Sequence, residues 1–475
     1  MNKYKKLVSN TAILGIGTFA SKLLVFFLMP LYTRYLTKAE YSTADLIMQT
    51  SNLLIPLISL GICEAVFRYT LDSKNEKYDR REVFSSGFVT LVFGSAAFLL
   101  LTPILLYVPY FKGDTYLIFF YVIASIFHSL CAQFVRAEGK TALFAVQGII
   151  ATAMTIGFNV LFLVAFNMKV TGYVLSVILA DVVSTLFLLI YAKLWKNISV
   201  KAVKKDILGS MLRYSIPLIP TTVFWWVTNV ADRYMVEHIK GADMNGLYAA
   251  SYKIPTLLIL LSGIFIEAWQ FSAVTERSEG EIEHRKFFGT IFDSFQALMY
   301  IAGAFLIAFA KIFTKILVSD EFYPSWQYIP ILSVATIFSS LVTFMGSVYL
   351  VEKKSVLSFV TSLIGAVINV ALNLTLIPVW GANGAALATF ACYFVVFIIR
   401  AINARKYIKF NMHPIKLTLN TVIVAVQCLT MIFEVKGWIL FQFAAMIAIV
   451  ALNAKAIYLG VVKVFEGKFK IKKRD

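Results

Sequence analysis

Roughly fourteen times along this chain, a stretch long and apolar enough to cross a bilayer as a helix is followed by only a short polar connection. That succession constrains the fold more than any other feature. Of 475 residues, 59% are hydrophobic and 15% charged, with a mean hydropathy of +0.78, far from the balance of a soluble domain. Spans are expected at about 11–35, 41–69, 83–109, 115–137, 142–166, 171–194, 210–238, 246–273, 287–318, 326–351, 356–378, 383–407, 415–434 and 437–462. The fold class is therefore all-α and integral to the membrane, with no room for a sizeable soluble domain.

The net charge of +18 does not point to nucleic acid, because Lys and Arg fall in short clusters between apolar segments and not on one basic face. Their distribution sets orientation. An even span count puts both termini on one side, and alternate connections are basic: Lys3, Lys5 and Lys6; Lys74, Lys77, Arg80 and Arg81; Lys193, Lys196, Lys201, Lys204 and Lys205; Lys353 and Lys354; Arg405, Lys406 and Lys409; and the tail KFKIKKRD. About thirty cations lie on this side against about half a dozen on the other, which makes both termini cytoplasmic. MNKYKK followed by an apolar run reads as an uncleaved first span, since no small-residue cleavage site follows it. Cys63, Cys131, Cys392 and Cys428 show neither disulfide spacing nor accompanying His for zinc.

A charge deep in a span costs at least about 2.5–3.5 kcal/mol on insertion scales, so such residues face a hydrated interior or a partner. Lys22 lies about twelve residues into the first span, near mid-bilayer at 1.5 Å per residue. In the second span Asp45, Gln49, Asn52 and Pro56 form one polar stripe expected to line a cavity, and Glu64 with Arg68 has the spacing of an i, i+4 ion pair. The seventh carries Pro217, Pro220, Thr222, Trp225, Asn229 and Asp232, with Arg233 beside them, and the eighth Tyr248, Tyr252, Lys253 and Glu267. Asp181 sits mid-membrane in the sixth. Asn159, Asn369 and Asn373 more readily join neighbouring helices than hold a ligand. Arg34 and Arg136 have the positions of interfacial anchors, and Trp225 and Trp226 read as lipid-facing packing.

The halves are internally related. PLYTRYLTKAEY parallels NVADRYMVEHIKGADMNGLY, each followed by a helix ending in Glu-Ala, and FNVLFLVAFNMKVTGYVLS parallels LNLTLIPVWGANGAALAT. The offset is six spans, so the repeat is parallel: a first lobe at 1–205, a second at 206–410 and two additional helices with a basic tail at 411–475, with a substrate route expected between the lobes.

Three stretches, SKLLVFFLMPLYTRYLTKAEYSTADL with GICEAVFRY, RYSIPLIPTTVFWWVTNVADRYM with GLYAASYKI, and INVALNLTLIPVWGANGAALAT, resemble the polysaccharide transport branch of the multidrug/oligosaccharidyl-lipid/polysaccharide exporter superfamily, the Wzx-type flippases. The Gly usual after Glu-Tyr in the first loop is replaced, giving AEYSTAD. The resemblance implies fourteen helices in two lobes around a V-shaped cationic cavity, and an oligosaccharide on a polyprenyl diphosphate as substrate. It implies that Lys22, Arg34, Arg233 and Lys253 meet the diphosphate, with Asn52, Asn229 and Tyr252 binding alongside and Arg68 at an inner gate. Asp45, Glu64, Asp181, Asp232 and Glu267 are the candidates for gating or ion coupling. It also points to membrane lipid, a polysaccharide polymerase and chain-length proteins as partners in a bacterial cytoplasmic membrane. The chain contains no GxxxxGK[ST] motif, so ATP is not expected as the energy source, and neither cofactor nor enzymatic activity is expected. The rival readings are a cation-coupled drug or metabolite exporter and a peptidoglycan lipid-intermediate flippase of the same superfamily.

Overall fold

The computed structural model describes residues 26–73, 78–105, 107, 113–275, 281–352 and 354–472. Seventeen α-helices make up almost all of it, with short 3-10 turns and no strand among the described residues. Two compact units divide the chain, Met1–Glu237 and His238–Asp475. The segment 206–237, assigned from sequence to the second lobe, packs within the first unit, because the seventh span pairs with the second.

The first unit contains α1 (Met29–Tyr35), α2 (Lys38–Ile58), α3 (Ile62–Ser73), α4 (Arg80–Leu105), α5 (Thr115–Ala137), α6 (Thr141–Asn159), α7 (Lys169–Tyr191), α8 (Lys205–Ser215) and all but the end of α9 (Ile219–Lys240). Its hub is α5, which packs against α2, α3, α4 and α7. More than half of α5 is buried, against 17% of α4, whose Phe93 and Leu100 face outward as lipid-facing apolar residues do.

The second unit contains α10 (Ala242–Ser251), α11 (Thr256–Thr275), α12 (Glu281–Ala308), α13 (Ala310–Leu317), α14 (Ile329–Val351), α15 (Ser355–Ala404), α16 (Pro414–Ile432) and α17 (Trp438–Lys472). Its hub is α14, 78% buried and packed on α11, α12, α15 and α16. The two hubs, α5 and α14, are the fourth and tenth expected spans, six apart as the repeat requires.

Nine described helices are long and apolar enough to cross a membrane, and two bent pairs, α2 with α3 and α10 with α11, raise the number to eleven. Helix α15 counts once there but is two spans. A straight 50-residue helix would be about 75 Å long, whereas Gly381, at φ 57°, turns it back on itself. Arg400 bonds Thr361, Cys392 bonds Gly365, and Asn369 bonds Thr389, so partners approach the turn in step as in an antiparallel hairpin. Helix α9 falls outside the hydropathy count because of its polar residues, yet its 22 residues reach about 33 Å, enough to cross. These make thirteen spans; the first expected span lies mostly outside the described residues.

The repeat is visible in the turns. In each unit an Asn (159 or 373) precedes by three the residue whose backbone meets a glycine of the returning helix. A Cβ on Gly172 would approach Phe162 to 3.0 Å, and one on Gly384 would approach the Leu376 carbonyl to 2.3 Å. The connection before the second helix is also tied alike. In the first unit Glu40, within the Thr37 capping box, pairs with Lys169 at 2.7 Å; in the second Lys240 donates to the Pro378 carbonyl at 2.8 Å.

Spans two and seven are broken, and their breaks meet. The chain bends by 55° between α2 and α3, where Leu60 and Gly61 take positive φ. Between α8 and α9 Pro217 lies in a 3-10 turn. Breaking a helix in lipid frees backbone groups that must be satisfied again. Here Ser215 donates to the Leu60 carbonyl at 2.7 Å, and a Cβ on Gly61 would lie 3.2 Å from the Ser215 carbonyl. Outside the spans, Lys204 hydrogen-bonds Glu82 at the start of α4, which raises the ammonium pKa above its ordinary value.

Candidate functional site

The most polar interior of the first unit lies along α2 and α9. Asp45 and Arg233 form an ion pair there, with Arg233 Nη1 at 2.7 and 2.6 Å from the two carboxylate oxygens and both residues less than a tenth exposed. Gln49 Nε2, one turn along α2, lies 3.4 Å from Asp45 Oδ1. Trp226 Nε1 donates to the Gln49 carbonyl at 2.8 Å, and the Tyr234 hydroxyl lies 2.5 Å from Thr50 Oγ1 and donates to the Leu46 carbonyl. At the end of the row Ser42 donates to Glu237. Moving along α2 from Ser42 to Thr50 the partners recede along α9 from Glu237 towards Trp226, which makes the two helices an antiparallel pair.

A pair so buried is not there for net stability. Desolvating two ions consumes much of their mutual attraction, whereas removing one partner strands the other at about 3–5 kcal/mol. The chemistry available is exchange: Arg233 is held neutralised by Asp45, and a planar guanidinium that a carboxylate satisfies can equally accept a phosphate.

A second network lies on α5, α6 and α7. His128 Nδ1 is 3.0 Å from Asp181 Oδ1, Ser125 donates to Asp181 Oδ2, and His128 Nε2 lies 2.7 Å from Gln147 Oε1. His128 thus bridges Asp181 on α7 to Gln147 on α6.

The residues expected from sequence separate into groups. Asp45 and Arg233 come together. Asp232 is buried beside them and accepts from the Arg233 backbone N–H at 2.9 Å. Asn229 bonds the Trp225 carbonyl in its own helix at 2.6 Å, and Asn52 is exposed. Arg34 is exposed in the last turn of α1. Glu64 and Arg68 are both exposed on α3, one turn apart beyond the bend at Leu60 and Gly61. Trp226 is not lipid-facing packing; its indole N–H ties α9 to α2. Tyr252 and Lys253 are half-buried in the second unit, with the Tyr252 hydroxyl 3.3 Å from that of Tyr248. Lys22 lies outside the described residues, as does the side chain of Glu267.

Sequence reasoning missed His128, Gln147, Glu237 and Ser42. His128 stands eight residues from Arg136, the nearest charge on its own helix, and its partner comes from another span. It also missed Arg400, 1% exposed, which donates to the Val342 carbonyl and to Thr361 and Ser362.

The sequence pattern of the polysaccharide biosynthesis protein family matches residues 7–269, more than half of the chain. The chain belongs to that family. Within this family member the matched region carries the whole α2–α9 pair. It is 25% identical over 379 residues to an uncharacterized membrane protein of Methanocaldococcus jannaschii, covering 74% of this chain and 87% of that protein. Its fold is that of the lipid II flippase MurJ in an inward closed conformation, with a TM-score of 0.70 at 14% identity over 95% of this chain and 100% of that one. It is likewise similar to an inward-facing multidrug resistance MATE transporter of the MOP superfamily, with a TM-score of 0.61 at 13% identity over 84% of this chain and 94% of that one. The family member is a multi-pass membrane protein whose fold is similar to those of these two transporters.

Proposed function

We propose that this protein is a flippase that moves polyprenyl-diphosphate-linked oligosaccharide repeat units across a bacterial cytoplasmic membrane for surface polysaccharide synthesis, with both termini cytoplasmic. The obstacle in flipping is the head group, since an isolated charge in a low-dielectric medium costs tens of kcal/mol by Born estimates while the prenyl tail stays in lipid. The observation that supports the reading is the Asp45–Arg233 pair. Arg233 is a cation stored in the membrane interior, and the incoming diphosphate takes the place of the Asp45 carboxylate on it. Release of Asp45 couples arrival of the anion to a rearrangement of the broken spans two and seven, and the site is exposed to the two faces alternately. Lys22, Arg34 and Lys253 are proposed to meet the same head group, with Asn52, Asn229 and Tyr252 bonding its sugars.

Coupling is assigned to Asp181, whose His128 partner makes it a proton site. Asp232 and Glu267 are secondary acidic candidates, and Glu64 with Arg68 a cytoplasmic-side gate. The activity is transport and not catalysis. The resemblance of fold to the lipid II flippase favours, as the second reading, a peptidoglycan lipid intermediate as cargo. Deleting the gene and identifying the lipid-linked intermediate that accumulates in the cells tests both: a polysaccharide repeat unit supports the first reading, a peptidoglycan intermediate the second, and no accumulation neither.

A further inference from the structure

The second unit holds an open basic cavity of about 720 Å³ where the N-terminal parts of α12 and α16 and the connection entering α16 converge on the middle of α17. Arg285, Lys286, Lys409, His413, Lys416 and Lys455 surround it, with Asp293 as its single acid. Lys416 occupies that acid at 2.7 Å, and Lys286, Lys409 and Lys455 have no acidic partner among the described residues. The walls are tied to one another. Ser294 on α12 donates to the Ala456 carbonyl on α17, Asn420 and Asn453 exchange amide bonds between α16 and α17, and the Tyr300 hydroxyl meets Thr421 between α12 and α16. Excess positive charge is thus held in a cavity preorganised by its own helices.

Its depth identifies the ligand. Lys286 precedes the apolar run of α12 and Lys416 lies in the first turn of α16, at span ends where lipid phosphates lie, and Lys455 comes beside them because α17 runs antiparallel to α16, with Asn453 bonded to Asn420 and Gln442 to Gln427. Further along the same two helices, α12 and α17, a separate cavity of about 300 Å³ is walled by Leu298, Ile301, Phe305, Met446 and Val450. It begins about 7.5 Å beyond Asp293 along α12, at 1.5 Å per residue. We propose that the basic cavity binds the phosphate of an amphipathic membrane lipid whose hydrocarbon lies along α12 and α17. The site is independent of Arg233 and of the cargo assigned above.

The test uses the purified full chain in neutral detergent, following its melting midpoint against added phosphatidylglycerol, polyprenyl monophosphate, phosphatidylcholine or inorganic phosphate. Phosphatidylglycerol, alone or together with polyprenyl monophosphate, is expected to raise the midpoint, and which of them acts names the source of the phosphate. In a Lys409→Gln/Lys455→Gln variant, whose exposed lysines leave the unliganded midpoint unchanged, the apparent affinity is expected to fall about 30-fold. An equal response to phosphatidylcholine or to inorganic phosphate, no response to either anionic lipid, or an undiminished response in the variant would overturn the assignment.

Discussion

One guanidinium nitrogen of Arg233 touches both carboxylate oxygens of Asp45, at 2.7 and 2.6 Å, joining the seventh span to the second in a place where both residues are buried. The pair is electrically silent as it stands, and that silence is what an anion arriving at Arg233 must break.

Removing one member therefore differs from removing both. Arg233→Ala leaves the Asp45 carboxylate buried without its counter-ion and is expected to destabilise the protein by about 3–5 kcal/mol. Arg233→Met combined with Asp45→Leu removes both charges and is expected to restore much of the stability, yet not export. Thermal melting in detergent read beside polymer export separates the two effects.

Ser215 closes the junction at which the two broken spans meet. Ser215→Ala removes the donor to the Leu60 carbonyl inside the protein, where no water replaces it, and is expected to cost about 1–3 kcal/mol. Ser215→Thr keeps the hydroxyl and is expected to cost less. Melting midpoints of the two variants check the order.

The glycines of the two returning helices rank themselves by contact. Gly384→Ala brings a methyl group onto a backbone carbonyl at 2.3 Å, which only a shift of the hairpin relieves, and about 1–3 kcal/mol is expected. Gly172→Ala meets side-chain carbons of Met168 and Phe162 at 2.9 and 3.0 Å and is expected to cost less. Denaturation in matched detergent compares them.

The proton assignment rests on His128. His128→Gln preserves hydrogen bonding to Asp181 and Gln147 but carries no titratable ring, so export driven by a pH gradient is expected to lose its pH dependence while the protein remains folded. Transport measured in vesicles at several external pH values reports this; an unchanged profile sets the assignment aside.

Much of this was legible in the residues and some was not. Asp45 and Arg233 stood out because each is a charge inside an apolar run, and the price of burying charge makes such positions informative by themselves. Their pairing was not legible, since helical periodicity says which face a residue occupies and nothing about which helix lies opposite. The same gap hid His128 and Glu237, whose partners come from other spans, and led Trp226 to be read as lipid-facing. Pro217 marked the break in the seventh span. The matching break in the second was hidden because its left-handed residue Leu60 precedes Gly61 in an otherwise apolar run. The six-span repeat was faint in sequence; in the turns of both units an Asn recurs three residues before the one that a glycine of the returning helix approaches.

Binding of a polyprenyl diphosphate to the purified protein, measured for wild type, Arg233→Gln and Asp45→Asn, tests the exchange at Arg233 most directly. Loss of affinity in Arg233→Gln together with tighter binding in Asp45→Asn, where the competing carboxylate is gone, is the expected result. Equal affinity in Arg233→Gln, or weaker binding in a folded Asp45→Asn protein, would contradict it.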